Sequence, residues 1–133
     1  MIIVTEQNRT IRIDPAAVQE RIEILEQGSA RVFVEGSGKL TLEIALAGSG
    51  ASLEIIGRFA GKGEERQEII LRIVQQAPRT SARVDFRAAL RDASSSFFDG
   101  LIRVEEGAKD AKGFLSYKAL LLSPSAKAKP IPR

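Results

Sequence analysis

Ile69-Ile-Leu-Arg-Ile-Val-Gln-Gln-Ala-Pro-Arg-Thr-Ser81, then Phe97-Phe-Asp-Gly-Leu-Ile-Arg-Val104, then Leu120-Leu-Leu-Ser123 are three strand-like runs with no helical pattern between them. Branched and aromatic residues bounded by Pro, Gly and Ser are the composition of short strands separated by turns. The same texture extends upstream. Ile11-Arg-Ile13, Ile22-Glu-Ile-Leu25, Arg31-Val-Phe-Val-Glu35, Leu40-Thr-Leu-Glu-Ile-Ala-Leu46 and Ser52-Leu-Glu-Ile-Ile-Gly-Arg-Phe59 mostly alternate apolar with polar, as does the start of the first run at Gln67-Glu-Ile69. Such alternation puts one face of a strand in a core and the other in water.

Three corners repeat. Gly36-Ser-Gly38, Gly48-Ser-Gly50 and Gly61-Lys-Gly63 begin 12 and 13 residues apart, each leading into a strand. Glycine tolerates the positive φ that tight corners require. A short period of strand plus turn fits either a meander sandwich or a β-solenoid, and spacing alone does not separate them. Asp14 followed by Pro15, with Gly28 downstream, has the punctuation of a helix start and stop. Ile22-Glu-Ile24 alternates instead, so the sequence leaves open one short helical turn near residues 15–19.

Composition narrows the chemistry. A chain of 133 residues buries roughly two thirds of its unfolded surface, enough for one continuous core. Hydrophobic residues make up 44% and aromatics only 5%, so that core is aliphatic. There is no Cys and no His. Thiolate and imidazole are the usual ligands of zinc, iron and iron–sulfur clusters, so no cofactor or metal site of the usual kind is expected. The same absence removes Ser–His–Asp and Cys–His nucleophile arrangements, and no enzymatic activity is expected. Net charge is +3, from 20 basic and 17 acidic residues mixed along the chain, with one Tyr and no Trp. Neither a basic stripe nor stacking aromatics are offered to nucleic acid. No apolar run approaches the roughly twenty residues that span a bilayer, and Met1-Ile-Ile-Val-Thr-Glu6 is no signal peptide. A soluble, cytoplasmic protein that binds neither nucleic acid nor membrane is expected.

Several motifs invite sharper readings. Gly36-Ser-Gly-Lys39 has the glycines and lysine of a phosphate loop, but Phe33 stands where the motif needs its first glycine and Leu40 where it needs Ser or Thr. A strand corner with a solvent lysine is the better reading. Asp85, Asp92 and Asp99 are seven residues apart, a spacing that alternates faces in strands and gathers no acid–base pair. Turn roles are expected for Asp92 and Asp99. Ser94-Ser-Ser96 has no His to activate a hydroxyl and reads as a turn. Arg83 and Arg87 have even spacing and share a strand face; Arg91 continues the series.

From Gln75 to Ser123 the chain resembles, without a gap, the core domain of the SufB/SufD family, scaffold proteins of iron–sulfur cluster assembly. The family pattern is His-x-Ala-Pro-x-Thr-x-Ser, then Phe-x-Gly-x-Ile-x-Val, then Leu-Leu-Leu-Ser. Ala77, Pro78 and Thr80 carry the first piece, Phe98, Gly100, Ile102 and Val104 the second, and Leu120–Ser123 the third. Gln75 replaces the family His and Ala82 its Ser, while Leu115 and Tyr117 stand where the family has Gln and Asn. The sequence reaches Pro130-Ile-Pro-Arg133 where the family continues into a Cys- and His-bearing segment, so a shortened form without those ligands is expected.

The resemblance implies an all-β chain folded as a right-handed parallel β-helix. It implies scaffolding of cluster assembly in the cytosol, beside a second β-helix subunit and a dedicated ATPase. Residues 1–122 are expected to form one β-helix domain and residues 123–133, with three prolines, a flexible tail. Ile70, Leu71, Ile73, Phe98, Ile102, Val104, Leu120 and Leu122 are expected to supply most of the inward-facing residues around the matching segment. A non-catalytic scaffold acting by protein contact is the function expected; the alternative is a structural or oligomerising solenoid outside cluster assembly. Partner contact is expected at Arg83 and Arg87, where the family carries a basic residue at the second, and at Leu120, Leu121 and Leu122. Those leucines close the last coil, whose unpaired strand edge should support a homodimer or meet a second SufB/SufD-like subunit.

Overall fold

A computed structural model describes residues 1–16 and 18–132, and among them there is no helix. Eleven strands follow in order: β1 (Ile2–Val4), β2 (Arg9–Ile13), β3 (Val18–Ile24), β4 (Ser29–Glu35), β5 (Gly38–Leu46), β6 (Ser52–Gly61), β7 (Arg66–Gln75), β8 (Ser81–Leu90), β9 (Ser95–Val104), β10 (Lys112–Leu121) and β11 (Lys127–Pro132). Odd strands form one parallel sheet, β1-β3-β5-β7-β9-β11, and even strands the other, β10-β8-β6-β4-β2. The chain thus passes from one sheet to the other at every corner and advances one strand per full turn: a two-sheet parallel β-solenoid.

Inward positions stack in ladders. Ile22, Ile44, Ile73 and Ile102 are successive register partners in the odd sheet, in steps of 22, 29 and 29 residues. Val32, Ile55, Val84 and Leu115 face them from the even sheet. The 12- and 13-residue spacing of the glycine corners is therefore half a coil. Branched aliphatics suit this stacking because each lies over a near-identical shape one strand away. The few aromatics gather late: Phe86 and Phe98 meet at 4.7 Å between ring centroids, and Tyr117 stacks on Phe98 at 5.2 Å. Gly57 is the register partner of Phe86, and a methyl group there would overlap the Phe86 ring. That strand glycine is a space reserved for an aromatic.

The structure corrects several expectations. Among the described residues of 15–19 there is no helical turn: Pro15 is buried against the Gly38 corner and β3 begins at Val18, while Ala17 lies outside the described residues. Burial of Ile22 and Ile24 on one side of a strand overrides the helix-like punctuation. Of the expected core residues, Leu71, Ile73 and Phe98 are buried, Ile70 and Ile102 are half-buried, and Val104, Leu120 and Leu122 are exposed. In β7 the inward positions are Gln67, Ile69, Leu71, Ile73 and Gln75, so Ile70 faces out. In β10 Leu115 and Tyr117 point inward, which puts Leu120 and Leu122 on the outer face and Leu121 opposite buried Leu90. Residues 127–132, expected outside the ladder because of their prolines, pair with β9 as β11. Asp99, expected in a turn, lies inside β9, with both carboxylate oxygens within 3.2 Å of the Arg72 guanidinium.

Candidate interaction surface

The even sheet ends at β10, and backbone direction decides what that edge presents. Lys112 N–H donates to Thr80 O at 2.9 Å and Leu122 N–H to Leu90 O at 2.7 Å, so even-numbered residues turn their polar groups toward β8. Odd-numbered Gly113, Leu115, Tyr117, Ala119 and Leu121 turn N–H and C=O away from the stack. Each of these five has an N–H, because none is proline. The odd sheet ends differently. Lys127 N–H donates to Ser94 O at 3.2 Å, which directs odd residues of β11 to β9 and leaves Ala128, Pro130 and Pro132 on the outer edge. Two of those three have no N–H to offer. Proline on an outer edge is a known block to further strand pairing.

Around the β10 edge lie the most exposed large apolar residues of this end: Phe114 at 53%, Leu120 at 61%, Leu121 at 52% and Leu122 at 57%. Leu121 occupies an inward register position at the open end of the core, while Phe114, Leu120 and Leu122 occupy the outer face. Leu121 therefore lies on the opposite side of the sheet from Leu120 and Leu122, and all three adjoin one edge.

Arg83 and Arg87 both project from the outer face of β8, as their spacing implies, but into different surroundings. Arg83 follows Arg31 and Glu54 in one ladder that ends at Phe114, whose ring centre is 5.3 Å from the guanidinium carbon. It also lines a 520 Å³ depression with Ser29, Ser52 and Ser81. Arg87 Nε is 3.5 Å from Asp85 Oδ2, an oxygen also 3.3 Å from Arg58. Arg87 and Leu120 share a 440 Å³ groove with Lys118; Leu122 lines a neighbouring 330 Å³ groove with Arg91. Phe114 and Lys118 carried no signal in the sequence, since the face of β10 follows from its register with β8 and not from any motif.

Residues singled out as potential chemistry are separated and engaged. Asp85 and Asp99 face outward from different sheets. Asp92 forms a corner at φ 57° and accepts the Gly63 N–H at 2.9 Å. Ser94 and Ser96 are buried, Ser94 Oγ donating to Arg91 O at 2.6 Å and Ser96 Oγ accepting the Tyr117 hydroxyl at 2.7 Å. Burial pushes the Tyr117 phenol above its ordinary value, and the Ser96 contact works against that shift. Gln75 is fully buried; its amide nitrogen donates to Thr80 O at 3.2 Å and Lys112 O at 3.0 Å, tying a corner to β10. The position that carries His in the resembling family here holds a structural amide. Among the described residues no three Asp or Glu side chains are gathered as a metal site would need.

The chain is thus a parallel β-solenoid whose odd sheet ends on the proline-bearing edge of β11 and whose even sheet ends on the open edge of β10. Its family is set by direct comparison. Residues 19–133 match the family described as SUF system FeS cluster assembly, SufBD core domain, and the chain belongs to that family. The match places it in a role related to iron–sulfur cluster assembly and extends the resemblance upstream through the glycine corners. No curated protein and no solved structure matches the chain significantly. No helix among the described residues is long and apolar enough to cross a membrane.

Proposed function

We propose that this chain is a non-catalytic scaffold of iron–sulfur cluster assembly in the cytoplasm that works by protein contact, pairing through the β10 edge with a second copy of itself. The observation that carries this reading is the asymmetry of the two terminal edges. Five residues of β10 direct N–H and C=O outward beside Phe114 and Leu120–Leu122, whereas β11 has lost two of three outward donors to proline. An open edge flanked by apolar side chains gains both backbone hydrogen bonds and apolar burial from a partner strand. Two copies related by a two-fold axis would pair β10 antiparallel about Tyr117, the centre of residues 113–121. The cluster is cargo in this reading. With no Cys or His in the chain, its ligands come from other components, among them a SufB/SufD-like subunit that could meet the same edge.

Sedimentation at tens of micromolar tests the contact. A dimer is expected, shifted toward monomer by Leu121→Asp, which puts a charge at the half-exposed edge beside Leu90; a circular dichroism melt establishes that the variant folds. A monomer whose behaviour the substitution leaves unchanged, alone and when mixed with a SufB/SufD-type subunit, would refute the reading. The alternative of a plain structural solenoid would show self-association but no retention of cluster-assembly components from the native host.

A further inference from the structure

The outer face of the even sheet concentrates charge in one place. Glu35, Arg58, Arg87 and Lys118 are successive register partners across β4, β6, β8 and β10. Four residues further along the strands, about 13 Å away, Lys62 and Arg91 stand at the ends of β6 and β8. Between the two rows run Ala60, Ala89 and Leu120, again in register. The grooves of 440 and 330 Å³ share Ala60 and Ala89 and form one trough along the solenoid axis.

Five cations line this trough. Glu35 is the one carboxylate among its described lining residues; Asp85, nearby, is divided between Arg58 and Arg87, and Glu65 and Asp92 accept the Lys62 and Gly63 N–H groups at 3.0 and 2.9 Å next to the far row. Five lining cations against one lining carboxylate leave the trough cationic. Lys62, Arg91 and Lys118 make no ion pair among the described residues. Elsewhere on the sheets the cations are interleaved with acids, as in Arg31–Glu54 at 2.7 Å and Arg66–Glu68 at 2.8 Å. Alanine is also a weak strand former, yet here it occupies two outward strand positions in register, where a larger branched side chain would fill the trough.

We infer that the trough binds an extended acidic segment of a protein partner, one aliphatic side chain lying over Ala60, Ala89 and Leu120 and flanking carboxylates meeting the two basic rows. Three rungs about 4.8 Å apart give a floor of roughly 10 Å, the length of three extended residues. Charge complementarity selects the acid, and the alanine floor selects the aliphatic anchor. Nucleic acid is the weaker fit. No aromatic side chain faces out in the trough to stack on a base, and exposed Phe114 belongs to the Arg83 ladder. Lys62 and Arg91 lie outside β10, so the trough is tested separately from the edge contact.

The probe is a fluorescein-labelled Glu-Glu-Leu-Glu-Glu peptide, followed by anisotropy against the full chain. Binding is expected at low salt and should weaken at about 0.2 M salt. Lys62→Glu with Arg91→Glu should weaken it by about tenfold or more, and Lys62→Ala with Arg91→Ala by less. Arg31→Glu with Arg103→Glu, an equal charge change outside the trough, should change affinity less than about threefold by long-range attraction alone. Circular dichroism melts establish that each variant folds. Equal weakening by trough and control variants overturns the proposal. So do equal affinity for Glu-Glu-Gly-Glu-Glu, tighter binding of a short oligothymidylate, or no binding of the peptide at all.

Discussion

Truncating Ile73 and Ile102 to alanine, one at a time, tests the stacking at the centre of the fold. The two are register partners in the same inward ladder, but Ile73 is 1% exposed between Ile44 and Ile102, whereas Ile102 is half-buried. The described part of β11 ends opposite Gly100 and provides no strand over Ile102. Removing three carbons from Ile73 forfeits about 2.4 kcal/mol of transfer free energy at about 0.8 kcal/mol each. A residual cavity of about 70 Å³ adds roughly 1.7 kcal/mol, for a total of about 4 kcal/mol. Ile102 leaves an open notch and no enclosed cavity, and loses about half the transfer term, so Ile102→Ala should cost about 1 kcal/mol. Urea unfolding followed by far-UV circular dichroism gives both values if the slope against urea stays constant. In melting temperature the expected falls are about 12–20 °C and about 4 °C. Equal losses from the two variants would mean that Ile102 is covered as fully as Ile73, and the assigned end of the odd sheet would be wrong.

Burial raises the Tyr117 phenol pKa above 10.0, so the folded chain holds that proton more tightly than the unfolded one. Its ionisation leaves stability unchanged well below pH 10 and lowers it as pH rises past that value. Tyr117→Phe should remove this alkaline loss at a cost of about 1 kcal/mol near neutrality from the broken Ser96 hydrogen bond, and an unchanged alkaline melting profile would contradict it. Anaerobic reconstitution with iron and sulfide should leave the purified chain without stoichiometric cluster, because it has no thiol or imidazole; retained iron and acid-labile sulfide in metal analysis would show otherwise. Pro130→Ala with Pro132→Ala restores N–H groups to the outer edge of β11 and should produce assemblies larger than a dimer in light scattering; an unchanged size distribution would show that this edge is protected by other means.

Much of this fold was legible because inward alternation and glycine corners are local. Ile22-Glu-Ile24, Leu40-Thr-Leu42 and Leu53-Glu-Ile55 state their faces outright, and the structure buries those aliphatics. Leu120-Leu-Leu122 does not, since three identical residues carry no alternation. Their facing is fixed instead by the pairing of Tyr117 with Phe86 earlier in β10. A second series of corners was also silent. Gln27, Gly50, Arg79 and Asp110 each fall two residues before an even strand and all adopt positive φ, yet only one is glycine. Left-handed conformations at the other three cost about 1 kcal/mol or more each, and hydrogen bonds from one coil to the next offset this, including Gly50 N–H to Pro78 O at 3.1 Å and Arg79 N–H to Lys109 O at 2.8 Å. Such bonds join residues about thirty positions apart and leave no mark on a local window. The basic trough was half legible: Arg83, Arg87 and Arg91 stood out by spacing, but Arg83 belongs to another ladder, and Arg58, Lys62 and Lys118 join Arg87 and Arg91 only through register.

The prolines of residues 123–133 show how one residue type can argue in two directions. Lacking N–H groups, Pro130 and Pro132 look unfit for any ladder, and an interior strand would reject them. A terminal strand uses only alternate residues to reach its neighbour. Here Lys127, Lys129 and Ile131 face β9, so both prolines fall on positions whose N–H would otherwise point to solvent. The pairing with β9 survives, and the next pairing is blocked. Had the prolines fallen one residue earlier, the same composition would have detached β11 and bared Phe98 and Gly100. At the same end of the stack, β10 keeps every outward donor. In the proposed pairing a partner strand would extend the even sheet at this end while the proline-bearing edge of the odd sheet is left out.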